Sequence, residues 1–373
     1  MFNINTLPRE EQLSIYLGNL YEQFGYNRFK MSRFEEYDFY TKYKSFLPKG
    51  QFITFNDTDG KLMVLKPDVT LSIVKNANCE GDIAEKIYYA EKVYRTMPGT
   101  GDYKEISQIG LEWLGKVNNY SLVEISNLAA QSLAAISNNW MLDISHLGFV
   151  NGLLDYFNMD DKTKKDILIS IEEKNRHELS IKAKQLGLND EGINMLLSLI
   201  DITGKAVDCI DKAYELAVND EMRLALDEIK LIIKSFEGKK ELNNLRLDFS
   251  IIGDMNYYNS LVLSGYIEGI PGAVLIGGRY DNLLKHMHKK DTGAIGFALR
   301  FDEIARLIAE YKPKVYDAFI CCSGQNNPIE LNNFVQSLVR EGKSVLTGDR
   351  ADNIQARIYY TIVDGELKEV GKC

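Results

Sequence analysis

Apolar residues recur at Leu13, Leu17, Leu20 and Phe24, a helical spacing that predicts one buried face. Thr6 stands ahead of them as a capping residue, with Pro8 in the first turn and Glu10 and Glu11 near the positive helix end. The period then shortens. Residues 51–67 predict a hairpin around Asp59-Gly60, and residues 70–78 a short helix. Residues 86–95 and 103–115 form a second predicted strand pair across the turn-like "TMPGTGD". A helix at about 120–138 and a strand near 140–149 follow. From about 150 to 240 strand signals vanish, and a charged, Leu/Ile-rich stretch reads as a helical insertion. Strands resume at 245–250, 257–266 and 272–277. A helix at 279–287, a strand at 293–300 and a helix at 302–311 complete the body. The last sixty residues give a strand at 315–321, a helix at 328–340 and short strands.

The fold class is therefore α+β. A largely antiparallel sheet flanked by helices spans residues 1–311, split by the helical insertion, and 312–373 form a small α/β domain. The order is not the βαβ alternation of a doubly wound fold.

The alternation is cleanest in "KEISQIGLEWLG", residues 104–115. Ile109, Leu111 and Trp113 face one way, and Gln108, Gly110 and Glu112 the other. A solvated outer face is the default for such a strand. An amide, a gap and a carboxylate in a row also suit the floor of a polar pocket.

Composition narrows the class. The chain has 373 residues, 45% hydrophobic and 26% charged, as in ordinary globular proteins. No run of eighteen apolar residues indicates a membrane span, and "MFNINTLPREEQ" lacks the basic-then-apolar pattern of a secretory leader. A cytoplasmic location is expected. Cys79, Cys209, Cys321, Cys322 and Cys373 form no metal spacing and read as reduced thiols. His286 and His288, two apart, read as surface residues, so no metal is expected. The net charge of −9 argues against broad contact with nucleic acid. "LIGGRYD" matches neither common phosphate-loop pattern, and no cofactor is expected.

Several strand ends carry polar residues that a core would not choose. Lys66-Pro67-Asp68-Val69-Thr70 lies between the hairpin and its helix, where Asp68 or Thr70 could simply cap. Arg95 ends one strand and can reach the Gln108/Glu112 face. "GDMNYYNS" (253–260) offers two tyrosines, and Arg279-Tyr280 open a predicted helix. Jointly these supply what a pocket for a small zwitterion needs.

In order, these segments resemble the catalytic core of class II aminoacyl-tRNA synthetases of the histidyl kind, over roughly residues 8–311. "LKPDVT" is similar to their Leu-Arg-Pro-Glu-Gly-Thr, and "VYR…YKEISQIGLEWLG" to their motif 2. "NYYN" is similar to the Asp-Tyr-Tyr of the histidine loop, and "GGRYDNLL…GAIGFALRFDEI" to the motif 3 region. The resemblance implies that Asp68, Thr70 and Gln108 hold a histidine's α-amino group. It implies that Glu112 and Tyr258 grip the imidazole, that Tyr280 lines the pocket and that Arg95 sits at the carboxylate end. Gly110 would leave room for the ligand.

The departures fall on the nucleotide side. The motif 3 arginine falls on Glu303, the arginine opening Arg-Gly-Leu-Asp-Tyr-Tyr on Gly253, and the motif 2 glutamate on Met97. The motif 1 proline falls on Ser32. From Lys314 to Cys373 there are seven Lys/Arg and eight Asp/Glu, so no basic face for tRNA is expected. The pattern is similar to that of the family of regulatory subunits of ATP phosphoribosyltransferase. That likeness implies no catalytic residues, a partner in the short-form catalytic subunit, histidine as feedback effector in histidine biosynthesis, and self-association as a dimer. Two alternatives stay open: an active histidyl-tRNA synthetase, or another adenylate-forming amino-acid ligase.

Overall fold

In a computed structural model of the chain, the described residues are 7–47, 52–77, 84–96, 100–253, 257–289, 292–308, 315–322, 327–352, 354–363 and 365–371. Thr6, Cys79, Met97 and Cys373 lie outside them. Two compact units divide it, Met1–Ala309 and Glu310–Cys373.

The larger unit is built on a nine-stranded sheet. Its order is Asn27–Arg28, Glu85–Thr96, Tyr103–Gly115, Gly293–Arg300, Leu275–Arg279, Leu261–Ile267, Trp140–His146, Leu245–Asp248 and Thr203–Lys205. Only Asn27–Arg28 on Glu85–Thr96, and Trp140–His146 on Leu245–Asp248, pair in parallel. The sheet is thus largely antiparallel, as the alternation predicts.

One face is closed by the helices Arg9–Gln23 and Asn119–Ile136. Leu17 and Tyr21 of the first share a core with Leu111, Ile125 and Leu133. The Tyr21 hydroxyl meets Ser132 Oγ at 2.8 Å, tying the two helices together. Pro8 takes the cap position of the first helix and offers no side-chain bond. On the opposite face a second core joins Ile106 and Leu114 to Leu71, Ile73 and Val74 of the short helix Thr70–Asn76. The hairpin Thr54–Asn56/Leu62–Leu65 forms as predicted, with Phe34–Glu36 added as a third strand.

Differences from the sequence reading have local causes. The strand predicted at 140–149 stops at His146, whose Nδ1 accepts the Gly148 N–H at 3.1 Å and starts the helix Leu147–Tyr156. Within 150–240 the helices Asp161–Glu172, Arg176–Gln185, Asp190–Asp201 and Asp220–Ser235 open on Asp160, Asn175, Asn189 and Asn219, whose side chains accept backbone N–H groups. The segment also carries the edge strand Thr203–Lys205, too short to leave a periodic signal. The strand predicted at 257–266 begins only at Leu261. Its first residues are held as a loop by Asn259, which accepts the Asp281 N–H at 2.9 Å and donates its own N–H to Arg279 O at 3.0 Å. Arg279 remains in a strand, and the helix is Asp281–His286.

In the smaller unit the strand Val315–Cys321 and helix Pro328–Arg340 have the predicted bounds. Its sheet runs Val345–Gly348, Val315–Cys321, Gln355–Val363, Glu366–Val370.

Candidate functional site

Register places the polar face of Tyr103–Gly115 against two neighbours. Gln108 pairs with Arg300 and Glu112 with Gly296 on one side, and Gly110 with Tyr89 on the other. Glu112 is the centre of what gathers there. It is 3% exposed, and both its oxygens accept hydroxyl bonds. Thr70 Oγ1 donates at 3.0 Å and the Tyr280 hydroxyl at 2.5 Å. Gly296 makes this possible, since a Cβ there would lie 1.9 Å from Glu112 Oε2.

Among the described residues no cation pairs with this carboxyl group. Burial pushes Glu112 up to about 8, and the Tyr280 and Thr70 hydroxyls only partly offset that. Burial also holds the Tyr89, Tyr257 and Tyr280 hydroxyls well above their ordinary value, so they stay donors. An acid ringed by hydroxyls in a dry setting suits a ligand that brings its own N–H donors.

Thr70 opens the short helix, and Asp68 caps it by accepting the Leu71 N–H at 2.8 Å. The plain capping role weighed from the sequence is therefore present, and Asp68 also faces Glu112 and Arg95 electrostatically. Burial raises the Asp68 carboxyl, opposed by that backbone bond and by Arg95. Arg95 Nε donates to Pro67 O at 2.8 Å, and burial lowers its guanidinium. Thr70, Glu112 and Tyr280 thus touch directly, with Asp68 and Arg95 beside them. Gln108 stands apart, with no hydrogen bond from its amide to any described residue.

Two tyrosines were not singled out by the sequence reading. Tyr89 covers Gly110: a Cβ on that glycine would lie 2.6 Å from the Tyr89 hydroxyl and 2.4 Å from Phe297 O. The gap at Gly110 is therefore filled by a phenol of the neighbouring strand, which corrects the expectation of open room. Tyr257 stacks on Tyr280, ring centres 5.1 Å apart, and bonds to Thr70. Tyr258 is turned differently; its ring lies against Gly253 and Gly278, and meets Tyr257 edge-on at 4.9 Å. Register would have exposed Tyr89, because it lies directly opposite Gly110. Nothing in "NYYN" tells its two rings apart.

At the other end of the same strand pair the chemistry reverses. Glu303 lies 3.2 Å from Arg306, 3.5 Å from Lys104 and 3.6 Å from Arg300, and Lys104 also meets Asp302 at 3.0 Å. Arg300 and Lys104 are thus matched by acids of this chain. Gly253 has φ +62°, where a side chain is strained, and a Cβ would lie 3.1 Å from the Tyr258 ring. Met97 falls outside the described residues. Among the described residues no cluster of three or more metal-ligating side chains occurs, Cys209, Cys321 and Cys322 form no disulfide, and no helix is long and apolar enough to cross a membrane.

The family profile described as Histidyl-tRNA synthetase matches residues 5–304. A curated relative from Bacillus mycoides, named ATP phosphoribosyltransferase regulatory subunit, is 27% identical over 83% of this chain and 76% of its own length. A solved structure from Bacillus halodurans, described as an ATP phosphoribosyltransferase regulatory subunit/histidyl-tRNA synthetase, superposes with TM-score 0.79 at 22% identity, covering 97% of each chain. A chain of an ATP phosphoribosyl transferase (HisG:HisZ) complex from Thermotoga maritima superposes with TM-score 0.63 at 16% identity, over 79% of this chain and 97% of that one. The fold expected from the resemblance is the fold observed.

Proposed function

The chain belongs to the histidyl-tRNA synthetase family, and from that premise we propose that it is a non-catalytic regulatory subunit of ATP phosphoribosyltransferase that binds histidine. The observation that carries this reading is the contrast between the two ends of the site. The Glu112 cluster keeps an uncompensated acceptor set for a small amino acid, while the nucleotide end is closed on itself. Adenylate formation needs cations free to meet a triphosphate. Here Arg300 and Lys104 face Glu303.

Histidine would offer its imidazole N–H to Glu112, exchanging one donor for the hydroxyls now there. Tyr280 and Tyr257 would stack against it, and Asp68 with Thr70 would take the ammonium. Arg95 would meet the carboxylate. Tyr258, turned onto Gly253 and Gly278, plays the lesser part. Bound histidine inhibits only by favouring one state of an assembly over another. The assembly is a hetero-oligomer of this chain, itself a dimer, with a short catalytic subunit, and it works in the cytoplasm.

The test is reconstitution. Mixing the chain with a short-form catalytic subunit raises phosphoribosyltransferase activity, and histidine lowers it again. A catalytic subunit equally active alone defeats the reading. Histidine-dependent ATP–pyrophosphate exchange by this chain would instead restore the synthetase or ligase alternatives.

A further inference from the structure

A cavity of about 320 Å³ lies outside the Glu112 cluster, lined by Lys30, Ser32, Glu35, Lys66, Lys75 and Asn76 among others. Lys66 is its unusual member. The residue is 4% exposed, yet its ammonium makes no hydrogen bond or ion pair with any described residue. A charge so placed loses hydration, and Glu35 and Glu91 offset that loss only at a distance. Its backbone is fixed on both sides: its N–H donates to Arg33 O and its carbonyl accepts from Tyr94 N, each at 3.0 Å. The residue is thus positioned at the cavity through its backbone, with no hydrogen bond from its ammonium to a described acid.

The charge count favours one kind of occupant. Among the described residues Lys30, Lys66 and Lys75 face one lining acid, Glu35, which is bound to Lys75 at 2.7 Å. Among those lining residues two positive charges remain, with Glu91 acting on Lys30 and Lys66 from outside the lining, in a chain whose net charge is −9. A phosphate dianion matches that excess, whereas a carboxylate would leave one charge over. At the same wall the Asn76 amide donates one N–H to Ser72 O at 2.7 Å and keeps a second, while the Ser32 hydroxyl donates to Phe34 O at 2.8 Å. We propose that this cavity binds a phosphate group, with Lys66 as its central cation. Burial lowers the Lys66 ammonium from its ordinary value, and a bound dianion would reverse that.

The experiment titrates the full chain with inorganic phosphate, then pyrophosphate, then acetate, by calorimetry at constant ionic strength. Saturable phosphate binding is expected, with acetate much weaker. Lys66→Met should weaken phosphate at least about ten-fold, since a charge-assisted bond at a buried site is lost. Lys66→Arg should retain it. Because the methionine removes an unpaired buried charge, its melting temperature without phosphate should equal or exceed that of the parent. Glu35→Gln is the second variant, and should tighten phosphate by removing the acid that lines the cavity. Phosphate that does not saturate, binds equally to Lys66→Met, or weakens in Glu35→Gln overturns the proposal. So does acetate binding as well as phosphate. A Lys66→Met chain that changes its dimer mass with no phosphate dependence assigns the cavity to a subunit contact, and the proposal falls. None of these outcomes bears on the histidine response.

Discussion

Glu112 and Glu303 flank the same strand, Gly293–Arg300, and meet opposite fates. Glu112 pairs with Gly296 and is sealed among hydroxyls, without a cation. Glu303 lies three residues past that strand's end, half-buried, with two arginines and a lysine around it. In the first place the environment withholds charge and keeps an acceptor waiting. In the second the charges satisfy one another. A family built to join an amino acid to a nucleotide needs both ends open; here only the amino-acid end keeps unspent bonding capacity.

The comparison breaks most readily at Gly296. Gly296→Ala pushes a methyl into Glu112 Oε2 and the Leu111 carbonyl. Overpacking of backbone and a buried acid together should cost about 3 kcal/mol. Urea unfolding reads it, and a loss under 1 kcal/mol would show that Glu112 moves aside freely.

The pH dependence comes next. Glu112 sits at about 8 in the folded chain against an ordinary 4.5. Between those values the folded chain holds a proton that the unfolded chain has lost, so stability falls as pH rises through that window. The slope is up to about 1.4 kcal/mol per pH unit. Glu112→Gln should flatten that slope in a series of denaturant melts. A variant with the parent's slope would place the titration elsewhere, Asp143 being the next candidate because burial raises it to about 6.

Glu112→Ala sharpens the functional side. A charge-assisted bond to an imidazole is worth about 1.5–3 kcal/mol, roughly ten- to a hundred-fold in affinity. Histidine inhibition of the reconstituted complex should shift by that factor, while assembly survives. Unchanged inhibition would move the feedback site to the catalytic subunit. Tyr257→Phe should shift the same curve by less, about 1 kcal/mol for a neutral bond, and Tyr258→Phe by less still. The reverse order would restore Tyr258 to the role the sequence suggested.

The smallest effect belongs to Glu303. Glu303→Gln loosens a partly exposed ion-pair group and should change stability by about 1 kcal/mol at most. Glu303→Arg alone should produce no pyrophosphate exchange, since Gly253 still lacks its arginine. Exchange in that single variant would mean that the nucleotide end was never closed.

What the sequence made legible follows from periodicity. Tyr103–Gly115 could be read face by face because Ile109, Leu111 and Trp113 alternate with Gln108, Gly110 and Glu112. The Thr70–Glu112–Tyr280 grouping came from resemblance, because its members lie far apart along the chain. Tyr89 was missed because "IYYAEKVY" puts a tyrosine on each face, and only pairing with Gly110 says which one covers the site. Tyr257 and Tyr258 could not be told apart from the sequence because the loop conformation is set by Asn259 and Asp281, a tertiary bond that no local pattern announces. Glu303 could be read as a repelling charge, but its pairing with Lys104 required knowing that strand's register.

The Thr70–Glu112 bond spans 42 residues and the Tyr280–Glu112 bond 168. Each doubling of a closed loop adds about 0.6 kcal/mol of entropy cost, so the second closure lags the first by about 1.2 kcal/mol. Of the two hydroxyl bonds to Glu112, the one from Tyr280 is therefore the costlier to close. On a ribosome, Glu112 and Thr70 emerge long before Tyr280, and the half-built cluster carries a carboxyl with one of its two hydroxyl partners. The Glu112 cluster therefore reports completion of the body: a chain arrested before residue 280 lacks the Tyr280 hydroxyl that completes the cluster.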